Sequence, residues 1–396
     1  LFGNGKELHF KKLMDFDTIG GKSNKNGARF DLDAMYVNWL GLSLKCYLPK
    51  SENSLSYVWE SLKGKISYCN IKRLMFSSGW RYYAELVVSG AAPTRVSIGT
   101  FTMGIDPGVS TIAGVSEDAC VLEELAPNAI QYEKKIQKIS QSMDRSRRIS
   151  NPNKYNEDGT INRSNRDPWK YSKNYVKMCR LLKSLYRKKH AYIVDSHRKL
   201  CNKLITIARY FPVEKMHFQA LQKRAKETKR QEKKTEVKQK DGTVKVIQKY
   251  KRKKRFGRSI NRRAPARFLL ELKRKAEAVG GVYAEVDTKE FKASQYNHVT
   301  DTYEKIPLTQ REKEIGKRKV QRDLYSAFLI RNADLDFKHP DREKCEYEFE
   351  HFAKMQDQLS FKNEGKWIVD ETMFWILRTY IRLRHRSFAE KVVHDV

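Results

Sequence analysis

Met103-Gly104-Ile105-Asp106-Pro107-Gly108-Val109-Ser110-Thr111-Ile112-Ala113 is the stretch on which the reading of this chain turns. An apolar run ends in a carboxylate, a Pro-Gly pair supplies turn chemistry, and a second β-prone run follows. Pro presets φ for a turn and Gly takes conformations closed to other residues, so the stretch predicts two strands with Asp106 at the hairpin edge. A carboxylate there is a ready ligand for a hard cation such as Mg²⁺. An Asp-Pro-Gly turn also joins purely structural strands, and the stretch alone does not separate the two readings.

The surrounding chain narrows the choice. Among 396 residues there are 80 Lys and Arg against 47 Asp and Glu, a formal net charge of +33. Such an excess repels itself unless a polyanion neutralises it, which points to nucleic acid. A hydrophobic share of 40% argues for folded cores and leaves room for more than one domain. No run of about 18 apolar residues occurs, so a membrane partner is not expected. The six cysteines, Cys46, Cys69, Cys120, Cys179, Cys201 and Cys345, are widely separated and read as reduced thiols. The chain opens at Leu1 within what reads as a running sequence, and an N-terminal portion is expected to precede it.

Residues 1–100 carry short β-prone runs, among them Glu7–Phe10, Gly41–Tyr47 and Ser67–Ile71. The clearest pair, Ile71–Phe76 and Trp80–Val88 around Ser77-Ser78-Gly79, predicts a hairpin, and the region predicts a small β-barrel or sandwich. Residues 101–345 predict an α/β domain: strands around Asp106, two cationic helices separated by a loop over 150–170, and a strand near Ala208–Met216. The second of those helices spans Ser172–Ile207 with Val176, Leu181, Leu182, Leu185 and Tyr186 as its apolar positions. A Lys/Arg-dominated arm over 223–263 reads as solvated or partly disordered. A helix with Phe268, Leu269, Leu272 and Ala276 on one side, a strand over Val282–Val286 and an amphipathic helix through Val320–Ile330 complete a mixed sheet covered by helices. Residues 346–396 read as a basic helical tail without a defined role.

Hydrolysis of a phosphodiester by two metals needs carboxylates converging on ions about 4 Å apart, one activating water and one stabilising the leaving oxygen. Asp106, Glu214 at the end of the Ala208–Met216 strand, and Asp323 on the last helix are candidates. Each has a plainer reading: a turn residue, a surface pair with Lys215, and one more charged helix position. Pro212, two residues before Glu214, cannot donate to a sheet ladder, so a late strand start or a bulge is expected there.

With those residues in view, the chain resembles the transposon-encoded OrfB/TnpB proteins, RNA-guided DNA endonucleases with a RuvC domain that are related to the type V CRISPR effectors. Gly104-Ile105-Asp106-Pro107-Gly108, Val213-Glu214-Lys215-Met216 and Arg322-Asp323-Leu324-Tyr325-Ser326-Ala327 resemble the three RuvC motifs. Trp80-Arg81-Tyr82-Tyr83 and Met143-Asp144-Arg145-Ser146-Arg147-Arg148 are also similar to this family. The resemblance implies an RNase H-like (RuvC) sheet over 101–345, preceded by a wedge-like barrel that grips guide RNA and duplex. Asp106, Glu214 and Asp323 would be its catalytic and metal-binding triad for two Mg²⁺ ions, with guide RNA and target DNA as partners in a bacterial, nucleoid-associated setting.

The family commonly carries paired Cys-x-x-Cys motifs of a zinc ribbon between the second and third RuvC motifs. The matching positions here, 288–312, hold no Cys, and lone His298 cannot supply four tetrahedral ligands, so no structural zinc is expected. For nucleic-acid contact the candidates are Lys251, Arg252, Lys253, Lys254, Arg255, Arg258, Arg262 and Arg263 on the arm, the helices over 134–148 and 177–198, and Trp80 and Tyr82 as stacking surfaces. A disordered insertion and ordinary sheet-face aromatics are the plainer readings of arm and rings. Two other functions stay open: a guide-RNA or DNA-binding protein without catalysis, such as a decayed transposon product, and a DDE-type transposase sharing the same metal chemistry.

Overall fold

A computed structural model describes residues 16–90, 92–93, 96–157, 159–222, 230–238, 244–250, 256–307, 310–358, 361–362 and 366–367. The chain divides into two units, Leu1–Arg95 with Asn128–Val194, and Val96–Pro127 with Asp195–Val396.

In the first unit, strands β1 (Thr18–Gly20), β5 (Ile66–Phe76) and β6 (Gly79–Val88) form one three-stranded sheet. Strands β2 (Arg29–Asp31), β3 (Tyr36–Trp39) and β4 (Leu42–Lys45) form another. The expected hairpin is present as β5–β6, closing at Phe76 opposite Gly79, whose φ of 120° only glycine adopts readily. The expected barrel is not: among the described residues the two sheets remain separate. Helix α1 (Glu52–Leu62) lies between them in sequence; Leu55, Val58 and Leu62 carried its helical spacing, and Leu62 is buried with Ala28, Phe30, Val37 and Cys69. The Glu7–Phe10 run lies outside the described residues. Helices α2 (Ala129–Ser150) and α3 (Lys173–Ile207) also begin in this unit. On α3 the expected apolar face is corrected. Val176, Leu181 and Tyr186 are exposed, whereas Leu185, Ile193, Leu200, Leu204 and Ile205 are buried.

The second unit is built on a mixed sheet. Its strands are β7 (Phe101–Thr102), β8 (Gly104–Pro107), β9 (Thr111–Val115), β10 (Cys120–Glu124), β11 (Ala208–Glu214) and, later in the chain, a strand over Val282–Val286. The order is β10, β9, β8, β11, then Val282–Val286, with β7 beside the start of β11. The three strands β8, β9 and β10 form an antiparallel meander, while β11 runs parallel to both its neighbours. The hairpin around Asp106 is therefore as expected, yet β8 is interior to the sheet. Pro212 sits inside β11, whose register toward β7 shifts between Ala208 and Tyr210.

Side chains alternate between the two faces of a strand, and each face here has its own core. Met103, Ile105, Ile112, Phe211 and Val213 face one core, closed by the end of α3 and a helix over Pro265–Ala278 that buries Phe268, Leu272 and Ala276. Ala113, Val115 and Val286 face the other. After β11 the chain runs through α4 (Phe218–Gln222), the hairpin β12 (Arg230–Lys238) and β13 (Val244–Tyr250), then α5 (Gly257–Arg263), α6 (Pro265–Ala278) and β14 (Val282–Val286). The arm is solvated as expected, with Val244 50% and Val246 55% exposed, but its described parts are ordered by pairing as an antiparallel hairpin followed by a helix. Lys251–Arg255 lie outside the described residues.

The remaining elements are α7 (Thr288–Phe291), the two-residue strands β15 (Tyr296–Asn297) and β16 (Thr302–Tyr303), the hairpin β17 (Glu312–Ile315) and β18 (Arg318–Gln321), then α8 (Arg322–Arg331) and α9 (Arg342–Asp357). Val320 stands on β18, not on the helix. The helix expected to be amphipathic is buried all round: Asp323 is the one residue of α8 that is not buried. Helix α9 runs across residue 346, and its Phe349 and Phe352 join the core with Phe328 and Tyr325. In the 288–312 positions, buried His298 packs against Phe349 with ring centroids 4.7 Å apart. The Tyr325 hydroxyl accepts from the His298 backbone N–H at 3.2 Å and lies 2.8 Å from Nδ1. Lys313 donates to the Tyr296 carbonyl at 2.6 Å. Beyond Trp367 the chain lies outside the described residues.

Candidate active site

The pleat explains how distant acids come together. Ile105 and Val213 point into the α3/α6 core, so their neighbours Asp106 and Glu214 point to the opposite face, where α8 lies. Val213 and Ile105 are paired across β8 and β11, which sets the two acids side by side. Gly104 shares the Asp106 face. A Cβ there would come 2.2 Å from the Ala327 carbonyl oxygen and 2.3 Å from the Arg331 nitrogen, so only glycine lets α8 approach β8 this closely.

Asp323 occupies the first turn of α8. The Gln321 side chain caps that helix by accepting from the Leu324 N–H at 2.6 Å, and the Gln321 N–H is itself held by Gln356 at 2.7 Å. The helix N-terminus favours a negative charge at Asp323. Its oxygens meet the Arg322 guanidinium at 3.2 Å, Arg311 at 3.6 Å and the Gln321 amide at 3.3 Å. Arg322 also donates to the carbonyls of Pro307 and Gln310, tying the chain before β17 to this point.

Burial holds the Asp106 carboxyl well above the ordinary carboxylate range, and the nearby charges of Glu214 and Asp323 push it further, with Arg322 opposing. Glu214, also raised by burial and by Asp323, accepts a hydrogen bond from Asp106, which opposes its own rise. Burial and mutual repulsion therefore hold both carboxyls of this pair above the ordinary carboxylate range. Carboxylate oxygens are the donors a hard divalent cation takes, so the trio fits such an ion in donor chemistry. It is not arranged around one: among the described residues no three His, Cys, Asp or Glu are placed to hold a single metal ion. Asp106 and Glu214 face each other, and Asp323 faces arginine.

The other expected residues are dispersed. Arg258 is exposed on α5. Arg263 is committed within its own unit: its guanidinium pairs with Glu124 and its carbonyl lies 2.8 Å from His197 Nε2. In the first unit Trp80 is covered by Arg73 and Lys183, whose charged groups lie 4.4 and 4.5 Å from its ring. Tyr82 is 67% exposed. Sequence reasoning passed over Gly104 as a packing residue and passed over Arg322 and Arg311; the adjacency of Arg322 to Asp323 was visible, but not its orientation.

No family model matches the chain, and no curated protein matches it. Among solved structures, one described as "Cryo-EM structure of CRISPR-Cas12f Ternary Complex" aligns with 14% sequence identity and a TM-score of 0.30, over 74% of this chain. The chain spans about half of that protein's length, 49%. Among the described residues, no helix is long and apolar enough to cross a membrane.

Proposed function

We propose that the chain is an RNA-guided DNA endonuclease of the OrfB/TnpB type, hydrolysing phosphodiester bonds in a RuvC-like site. The observation that carries the reading is the convergence of Asp106 and Glu214 on one sheet face with Asp323 on the helix packed there, burial penalising the negative charge of the first two. Carboxylates gathered against their own repulsion have no folding purpose, and such frustration marks a functional site. The mixed sheet and the net charge of +33 are consistent with an RNase H-like nuclease acting on a polyanion. Asp106, Glu214 and Asp323 would hold Mg²⁺, which when bound activates water and stabilises the leaving oxygen. The protein's own part is to fix the acids on β8, β11 and α8, with Gly104 allowing the helix its approach.

The test begins with expression beside the native flanking DNA, purification, and sequencing of RNA that stays bound at moderate salt. A discrete transcript, followed by Mg²⁺-dependent cutting of matching DNA that Asp106→Ala abolishes, is the expected result. Random RNA together with no cutting would overturn it. A second reading, nucleic-acid binding without catalysis, is favoured by the ion pairs that Arg322 and Arg311 make with Asp323. It predicts bound RNA and no cutting at any Mg²⁺ concentration.

A further inference from the structure

The two oxygens of Asp323 are neutralised by two arginines, and in different ways. Oδ1 is held by Arg322, whose Nε and Nη2 lie 3.4 and 3.2 Å away. That side chain is only 10% exposed, and it also donates to the Pro307 and Gln310 carbonyls at 3.4 and 3.3 Å. Oδ2 takes the Gln321 amide at 3.3 Å and the Arg311 guanidinium at 3.6 Å. The Arg311 side chain is 62% exposed, and its contact is an ion pair too long for a hydrogen bond. One arginine is locked and the other is loose.

The backbone of Arg311 is fixed all the same. The Arg322 N–H donates to the Arg311 carbonyl at 2.9 Å, extending the β17–β18 register in which Glu312 stands opposite Gln321. Arg311 thus stands across from the residue before Asp323, and the freedom left to it is that of its side chain. We propose that Arg311 is a displaceable counter-ion, which occupies Asp323 until a divalent cation takes the site and so sets the concentration at which the acids load. The assignment rests on the nuclease reading of the three acids. Like charges repel, so a dication and the guanidinium compete for Asp323. A pair this exposed is weak enough to yield. Arg322, tied to two carbonyls, stays and orients the carboxylate. The ion pairs that favour a protein without catalysis become, on this assignment, a threshold for metal loading.

Fe²⁺ is the probe, added in place of Mg²⁺ to the full chain with its co-purifying RNA and no DNA. With ascorbate and peroxide it generates hydroxyl radicals where it binds, and mass spectrometry locates the backbone breaks. Breaks are expected beside Asp106, Glu214 and Asp323. Arg311→Gln should lower the half-saturating Fe²⁺ concentration about fivefold, the scale of one partly exposed ion pair. Arg318→Gln removes the same charge from the same hairpin, where Arg318 pairs with Glu350 and Asp357, and should leave that concentration unchanged. Equal half-saturation in Arg311→Gln and the parent would overturn the proposal and leave the acids as a metal site. An equal fall in both variants would also overturn it, reducing the effect to net charge. No breaks beside the acids in any of the three proteins would remove the metal-dependent reading and the proposal with it.

Discussion

The two units solve the problem of a highly basic chain in different ways. The second buries a sheet between two apolar cores and then places acids against one face of it. The β-rich part of the first has a small core around Ala28, Phe30, Val37, Leu62 and Cys69, and leaves Leu40, Tyr47, Trp59 and Tyr82 exposed. Its β5–β6 hairpin is clothed in cations instead. Arg187 lies 3.8 Å and Arg81 4.5 Å from the Phe76 ring, while Arg73 and Lys183 cover Trp80. Apolar burial is not subject to Debye screening, whereas exposed charge is screened within about 10 Å at 0.1 M salt. The lesson is one of division: the unit with two large apolar cores carries the clustered carboxylates, and the other has a small core and cations over its exposed rings.

The comparison breaks first at Asp106. Asp106→Ala should reduce cleavage by about a thousandfold or more, while RNA binding stays within a few-fold. The same variant should melt at a higher temperature, because removing a buried carboxyl held above its ordinary range removes a cost to folding at neutral pH. Unchanged cutting would take Asp106 out of the site, and a lower melting point would show that its charge is not frustrated.

Stability should divide in the same way. Phe328→Ala, in the aromatic cluster where Phe328 stacks on Phe352 at 4.6 Å, is expected to cost about 3–5 kcal/mol. Tyr82→Ala on the exposed hairpin should stay within about 0.5 kcal/mol. Denaturant unfolding of both variants checks this, and comparable losses would erase the distinction between the units.

Acid should weaken the second unit through its buried histidines. Burial lowers His298 and His197 from 6.5 to about 4, so the unfolded chain takes up protons first as pH falls. Their contribution is complete above pH 6.5 and is lost as pH drops toward 4, while the raised Asp106 and Glu214 carboxyls act in the opposite sense, so the histidine part is the rise with pH that a histidine variant loses relative to the parent. His298→Asn should flatten that rise; an unchanged slope would assign the acid sensitivity to other groups.

The smallest effect is expected at Trp80. Trp80→Ala removes the ring that Arg73 and Lys183 cover, worth about 0.5–1 kcal/mol for each cation. RNA affinity should fall a few-fold at low salt and the difference should narrow as salt rises. An equal loss at every salt concentration would mean that the ring touches bases directly.

Much of this architecture is legible in the sequence. The Asp106 hairpin, the β5–β6 hairpin, the Phe268–Leu272–Ala276 helix face and the strand after it follow from short-range pattern, because turn chemistry and periodicity are local. Helix α8 was misread as amphipathic because a helix enclosed on every side carries no periodic polar face. The arm's exposure was legible in its charge, but its Lys and Glu content hid the pairing of β12 with β13. Helix α1 was missed although Leu55, Val58 and Leu62 stand at helical spacing.

The sequence by itself determined which carboxylates stand at strand ends and at a helix start, and it determined the charge that calls for a polyanion. Only the tertiary structure decided that Asp106, Glu214 and Asp323 share one neighbourhood, and that Arg322 and Arg311 face the third of them. The reason is separation along the chain. Strand parity fixes the face a side chain takes, but which strands become neighbours, and how near α8 comes over Gly104, is set by packing between segments hundreds of residues apart.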